Sequence, residues 1–182
     1  MSANSHDNKK TAVKDMVFVA MFAALIAVCS IISIPVGQVP VTLQTFAVCL
    51  SAAVLGWKRG TLSVLIYILL GAVGVPVFAG MKGGVGVLAG PTGGYIVGFL
   101  LTALIIGFAA ERWTRKALPL AAAMLLGVIL CYAVGTVWFM VITDTYLGES
   151  LLLCVVPFLL PDAVKIAAAA LLSNRLTKAV RF

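Results

Sequence analysis

Charge and reactive side chains are what this 182-residue chain has least of: six acidic residues, one histidine, and 10% charged residues in all. Nucleophilic catalysis needs a hydroxyl or thiol with a base beside it. The single histidine, His6, stands in a polar N-terminal segment and is assigned no role. Metal sites need His, Cys or carboxylate ligands at characteristic spacings, and the sequence offers no such cluster. The four cysteines, Cys29, Cys49, Cys131 and Cys154, lie in apolar stretches without a C-x-x-C pair, which reads as small packing residues. No G-x-x-x-x-G-K-[ST] occurs, so any ATP-driven step would need another polypeptide. Gly84-Val85-Gly86-Val87-Leu88-Ala89 matches a relaxed dinucleotide fingerprint, but neither flanking strand nor helix of a βαβ unit is present. Nothing here supports an enzyme, a metal or a cofactor.

What the chain does have is apolar sequence. Hydrophobic residues make up 63% of it and the mean hydropathy is +1.16, values of an integral membrane protein. Apolar runs at 16–34, 41–56, 61–75, 93–110, 117–143 and one ending near Leu172 predict an all-α protein of six transmembrane helices. They form one membrane-embedded domain over 1–182, with a polar cytoplasmic tail at 1–13, and the first run is expected to remain as a helix rather than be cleaved.

A net charge of +7 raises the question of nucleic acid, which the placement of the charges answers. Lys9, Lys10, Lys14, Lys58, Arg59, Arg112, Arg115, Lys116, Arg175, Lys178 and Arg181 all fall on one side if six spans alternate. That is the positive-inside pattern with both termini cytoplasmic, and no nucleic-acid partner is implied. Three outer connections follow, at 35–41, 76–94 and 144–150. Irregular backbone near a membrane is tolerated where protein or a wet cavity covers it. The glycine-rich stretch FAGMKGGVGVLAGPTGGY is therefore expected to cap a pocket open to the outside.

Two residues of the last apolar segment carry the strongest chemical signal. Pro161 is expected to open the final helix at its first position, after a short outer helix near 151–156. Asp162 then lies in the first turn, favoured there by the helix dipole, with Lys165 on the same face. Ionisable groups at this depth face a cavity or each other. The pair is either a self-neutralising structural bridge or a carboxylate acceptor and ammonium donor aimed at a polar ligand. Thr42 and Gln44 either satisfy a helix N-terminus or supply an amide to a ligand. Tyr95 and Trp138 are either interface anchors or pocket walls. Gly94 and Gly98 are spaced G-x-x-x-G for close helix packing, and Ala20/Ala24 with Ala23/Ala27 form small-residue pairs in the first span.

The motifs VPVTLQTFAV, GVPVFAG, GGVGVLAGPTGGYIVGF and PFLLPDAVKI, in this order over nearly the whole chain, resemble the BioY family. These are the biotin-specific S components of energy-coupling factor (ECF) vitamin transporters. The resemblance implies an S-component-like bundle in the cytoplasmic membrane of a bacterium. It would capture biotin and associate with a transmembrane coupling subunit and two ABC ATPases. It further implies that Asp162 and Lys165 meet the biotin head group, with Gln44, Tyr95 and the loop around Gly80, Gly83 and Gly84 nearby. At Met81 and Lys82 the loop departs from relatives with small or amide residues, which leaves Lys82 facing either the ligand carboxylate or water. The Ala20/Ala24 and Ala23/Ala27 faces resemble the alanine motif by which S components dock on the coupling subunit. Two other readings stand beside this one: an S component for thiamine or riboflavin, and a membrane scaffold whose polar pair is structural.

Overall fold

The computed structural model describes residues 3–35, 39–112 and 116–179; Arg115, Arg181 and residues 36–38 of the first outer connection lie outside them. The chain runs α1 (Ala3–Ile31), β1 (Ser33–Ile34), β2 (Val41–Thr42), α2 (Gln44–Ala72), α3 (Val85–Ala89), α4 (Gly93–Arg112), α5 (Ala117–Thr143), α6 (Leu147–Cys154) and α7 (Val156–Ala179). Five of the described helices are long and apolar enough to cross a membrane: Ala12–Ile31, Gln44–Ala72, Gly93–Arg112, Ala117–Thr143 and Val156–Lys178. Their outer surfaces carry large apolar side chains such as Leu118, Val141 and Leu160, which suits lipid rather than water.

The expected runs 41–56 and 61–75 fall within one helical element, α2, interrupted at Gly56 by a backbone of φ 80° and ψ −176°. A positive φ here is open to glycine at little cost. The two arms of α2 fold back on each other. A Cβ on Gly60 would come within 2.7 Å of the Ala52 Cα. Gln44 and Tyr67, which would stand about 35 Å apart in a straight helix, both bond to Ser30. The bend is pinned from two sides. Arg59 donates to Asp15 of α1 at 2.7 Å, and Glu111 of α4 accepts the Trp57 backbone N–H at 3.2 Å.

Between helices in lipid the hydrophobic effect is largely absent, so close packing carries the association. Gly98 sits against Cys131, and Gly94 against Trp138 and Gly135, which brings α4 and α5 into near-backbone contact. The G-x-x-x-G pair thus serves packing. Ile26, Val48, Val54, Val64, Ile106, Met124 and Phe139 belong to a single contiguous core shared by the helices.

The structure departs from expectation at four places. The last helix begins at Val156 rather than at Pro161, which lies inside it, so Asp162 is not in its first turn. Pro157 takes the early position where a missing N–H costs nothing, and Pro161 then forfeits only the bond to the Pro157 carbonyl. The outer helix before it is Leu147–Cys154, entered through a chain of hydroxyls, Thr143 to Thr145 at 2.9 Å and Thr145 to Ser150 at 2.8 Å. Finally, the helix of the first span reaches back to Ala3 through the polar tail, and the glycine-rich stretch contains a short helix, α3, which composition did not signal.

Candidate functional site

A cavity of about 320 Å³ lies between the start of α2, the start of α4, the middle of α5 and the first half of α7. That volume is in the range of small-molecule sites. The glycine-rich segment closes it. Phe78 and Lys82 exchange backbone hydrogen bonds at 2.9 and 3.3 Å around a turn with Gly80 and Met81 at positive φ. Phe78, almost fully buried, sets its ring edge-on to Tyr67 at 5.6 Å. The Trp138 indole donates to the Gly90 carbonyl at 3.0 Å, tying the far end of the segment to α5.

The polar end of the chamber is built on α7. Lys165 donates to Asp162 Oδ1 at 2.7 Å, across one helical turn, and the residues are 8% and 3% exposed. Tyr132 of α5 donates its hydroxyl to Asp162 Oδ2 at 2.5 Å. Each carboxylate oxygen therefore holds one protein donor and keeps lone pairs for a ligand N–H. Lys165 keeps two N–H donors. Ile96, Phe99, Val128 and Phe158 give the chamber apolar walls. Cys154 also lines it, and burial raises its thiol above the ordinary pKa.

Of the residues singled out in sequence, Asp162, Lys165, Gln44, Thr42, Lys82 and Tyr95 all line this one cavity. Thr42 accepts the Gln44 backbone N–H at 3.2 Å, which makes it a support for the start of α2. Tyr95 shares a hydrogen bond of 3.2 Å with Thr136. Lys82 is exposed as well as lining, so it stands at the rim. Gly80, Gly83 and Gly84 are not in the wall; they shape the segment that is. In α1, Ala20 and Ala24 are exposed, Ala27 is half-buried, and Ala23 belongs to the core.

Tyr132, Tyr67 and Ser30 were missed. A tyrosine in an apolar run reads equally well as an interface anchor, and only the packing of α5 on α7 brings Tyr132 to a carboxylate thirty residues away. Tyr132→Phe removes a charge-assisted bond without changing shape. Ligand affinity measured by calorimetry should fall roughly tenfold, with the fold intact.

Fold and cavity together define a class: a multi-pass helical membrane protein whose described residues enclose a polar-ended chamber. The chain belongs to the BioY family, whose model matches residues 3–182. It is 47% identical over 166 residues to the biotin transporter BioY of Thermotoga maritima, covering 91% of this chain and 96% of that protein. A probable biotin transporter BioY of Pyrococcus horikoshii is 41% identical, over 90% of this chain and 96% of that one. A crystal structure of the S-component for biotin from an ECF-type ABC transporter is 30% identical and superposes with a TM-score of 0.87. The match covers 98% of this chain and 95% of that one.

Proposed function

We propose that this protein captures biotin from the outer side of the cytoplasmic membrane as the substrate-binding subunit of an ECF-type transporter. It is not an enzyme; the chemistry is recognition. The observation that carries the reading is the Asp162 carboxylate, buried in a lidded chamber with Lys165 and Tyr132 fixing its two oxygens. A ureido ring offers two N–H donors and one carbonyl acceptor. The donors suit Asp162, and the carbonyl suits the free N–H groups of Lys165. The apolar walls then hold the valerate chain, and Lys82 at the rim meets its carboxylate.

The fold-back at Gly56 supports counting the arms of α2 as two crossings, which makes six spans in a single domain. Both ends then lie in the cytoplasm, with Lys58, Arg59, Arg112, Lys116, Arg175 and Lys178 on the same side. A transmembrane coupling subunit docks on α1 through Ala20 and Ala24, exposed beside Val17 and Met21. Two ABC ATPases supply the nucleotide hydrolysis for which this chain has no loop. Purified protein in detergent should bind one biotin tightly without ATP in a calorimeter, undisturbed by excess thiamine or riboflavin. Absence of any binding heat, confirmed by equilibrium dialysis with labelled biotin, sinks the reading.

A further inference from the structure

Gln44 carries a polar group that the fold leaves unanswered. It is 5% exposed and lines the chamber, yet its Nε2 has no hydrogen-bond partner among the described residues, while its Oε1 accepts from the Ser30 hydroxyl at 3.3 Å. Ser30 is in turn the acceptor for the Tyr67 hydroxyl at 3.0 Å. The three residues come from α1 and from the two arms of α2, and Ser30 and Tyr67 are both fully buried.

The direction of this relay follows from the amide oxygen facing Ser30: Ser30 gives its one proton to Gln44 Oε1, and its oxygen accepts the one proton of Tyr67. The carbonyl end of the amide is thereby occupied, and the NH₂ end is the one left for the chamber. A buried, unanswered donor is costly to leave unmade, and a ligand acceptor is the group that answers it.

We infer that Ser30 and Tyr67 are positioning residues that set the polarity of Gln44, so that the chamber presents an amide donor to an acceptor oxygen of the ligand, a urea carbonyl or a carboxylate. This rests on the biotin reading for its probe. The opposite amide orientation presents a carbonyl and selects for a ligand N–H instead. Specificity at this wall is therefore set from behind it, through Ser30, which does not line the chamber.

A double-mutant cycle read by biotin calorimetry tests it. Ser30→Ala should weaken biotin about tenfold, and in a Gln44→Ala background the same change should do nothing further. Gln44→Glu keeps the shape and replaces the donor by a carboxylate oxygen, so it should bind at least about tenfold more weakly than wild type. Additive losses for Ser30→Ala and Gln44→Ala, or wild-type affinity in Gln44→Glu, overturn the inference. A second measurement separates it from the biotin reading. Gln38 and Gln44 are the only glutamines, so ¹⁵N-glutamine labelling isolates their side-chain amides, with Gln44→Ala assigning the pairs. Ser30→Ala should move the Gln44 pair in ligand-free protein; an unmoved pair overturns the relay whether or not biotin binds. A moved pair in a protein that binds no biotin overturns only the biotin reading.

Discussion

Asp162→Asn should weaken biotin binding by at least about a hundredfold, since charge-assisted hydrogen bonds to the ureido N–H groups are lost together with the charge itself. The substitution preserves side-chain shape, so packing is not the cause. It also puts an amide NH₂ against either Lys165 or Tyr132, both of which donate to the native carboxylate. Lys165, 8% exposed, is left without its counter-charge. Breaking one partner of a buried pair costs about 3–5 kcal/mol, so the melting temperature should drop as well. A structural bridge predicts that same drop, and the double replacement Asp162→Leu with Lys165→Met separates the two roles. Replacing both charges by apolar groups of similar size is often neutral or stabilising. The double variant should therefore regain thermal stability and still fail to bind biotin. Binding within about threefold of wild type in that variant would leave the pair a structural bridge and remove the carboxylate from the ligand site.

How much of this was open to sequence reading differs by element, for physical reasons. The runs 93–110 and 117–143 correspond closely to Gly93–Arg112 and Ala117–Thr143. Each is a long apolar stretch with polar residues beyond it, and the bilayer leaves such a stretch little choice but helix. Where two signals competed, the rule of thumb chose wrongly. Proline favours the first turn, so Pro161 reads as a helix start, but Pro157 already fills that role in α7. The spacing of the two prolines limits the loss to one backbone bond. In the N-terminal segment hydropathy marked where the membrane span begins, not where the helix begins, and the helix extends to Ala3.

The site was half legible for a similar reason. Asp162 and Lys165 announce themselves because an ion in an apolar run demands an explanation. Gln44 was visible as an amide at the edge of a span, but the polarity of that amide was not. It depends on Ser30 and Tyr67, which lie 14 residues before it and 23 after, and only the fold-back of α2 brings them together. A hydroxyl inside a membrane helix is common and carries no signal of its own. That the glycine-rich stretch lies over the cavity was readable, whereas the division of labour within it was not. Gly86 and Gly90 form wall, while Gly80 and Gly84 bend the backbone at positive φ and Gly83 packs against the Gly74 and Val75 carbonyls.

That division gives the second large effect, at Gly83, a residue outside the chamber wall. A Cβ there would stand 2.6 Å from the Val75 carbonyl oxygen and 2.7 Å from that of Gly74, both backbone atoms that cannot swing aside like a side chain. The neighbouring Gly84 N–H is bonded to the Gly71 carbonyl at 2.7 Å. Gly83→Ala must therefore push the lid away from the end of α2 and loosen that bond with it. Phe78 rides on the same turn and covers Tyr67, so the chamber opens at its closed end. Biotin should dissociate faster by about tenfold to a hundredfold with little change in association rate, because mutational effects at a formed site fall mostly on the off-rate. Stopped-flow displacement of labelled biotin measures this directly. Gly148→Ala, in α6 and with open space around its added methyl, serves as the control and should match wild type. A Gly83→Ala protein that releases biotin at the wild-type rate means that the segment is not a lid, however well its backbone covers the cavity.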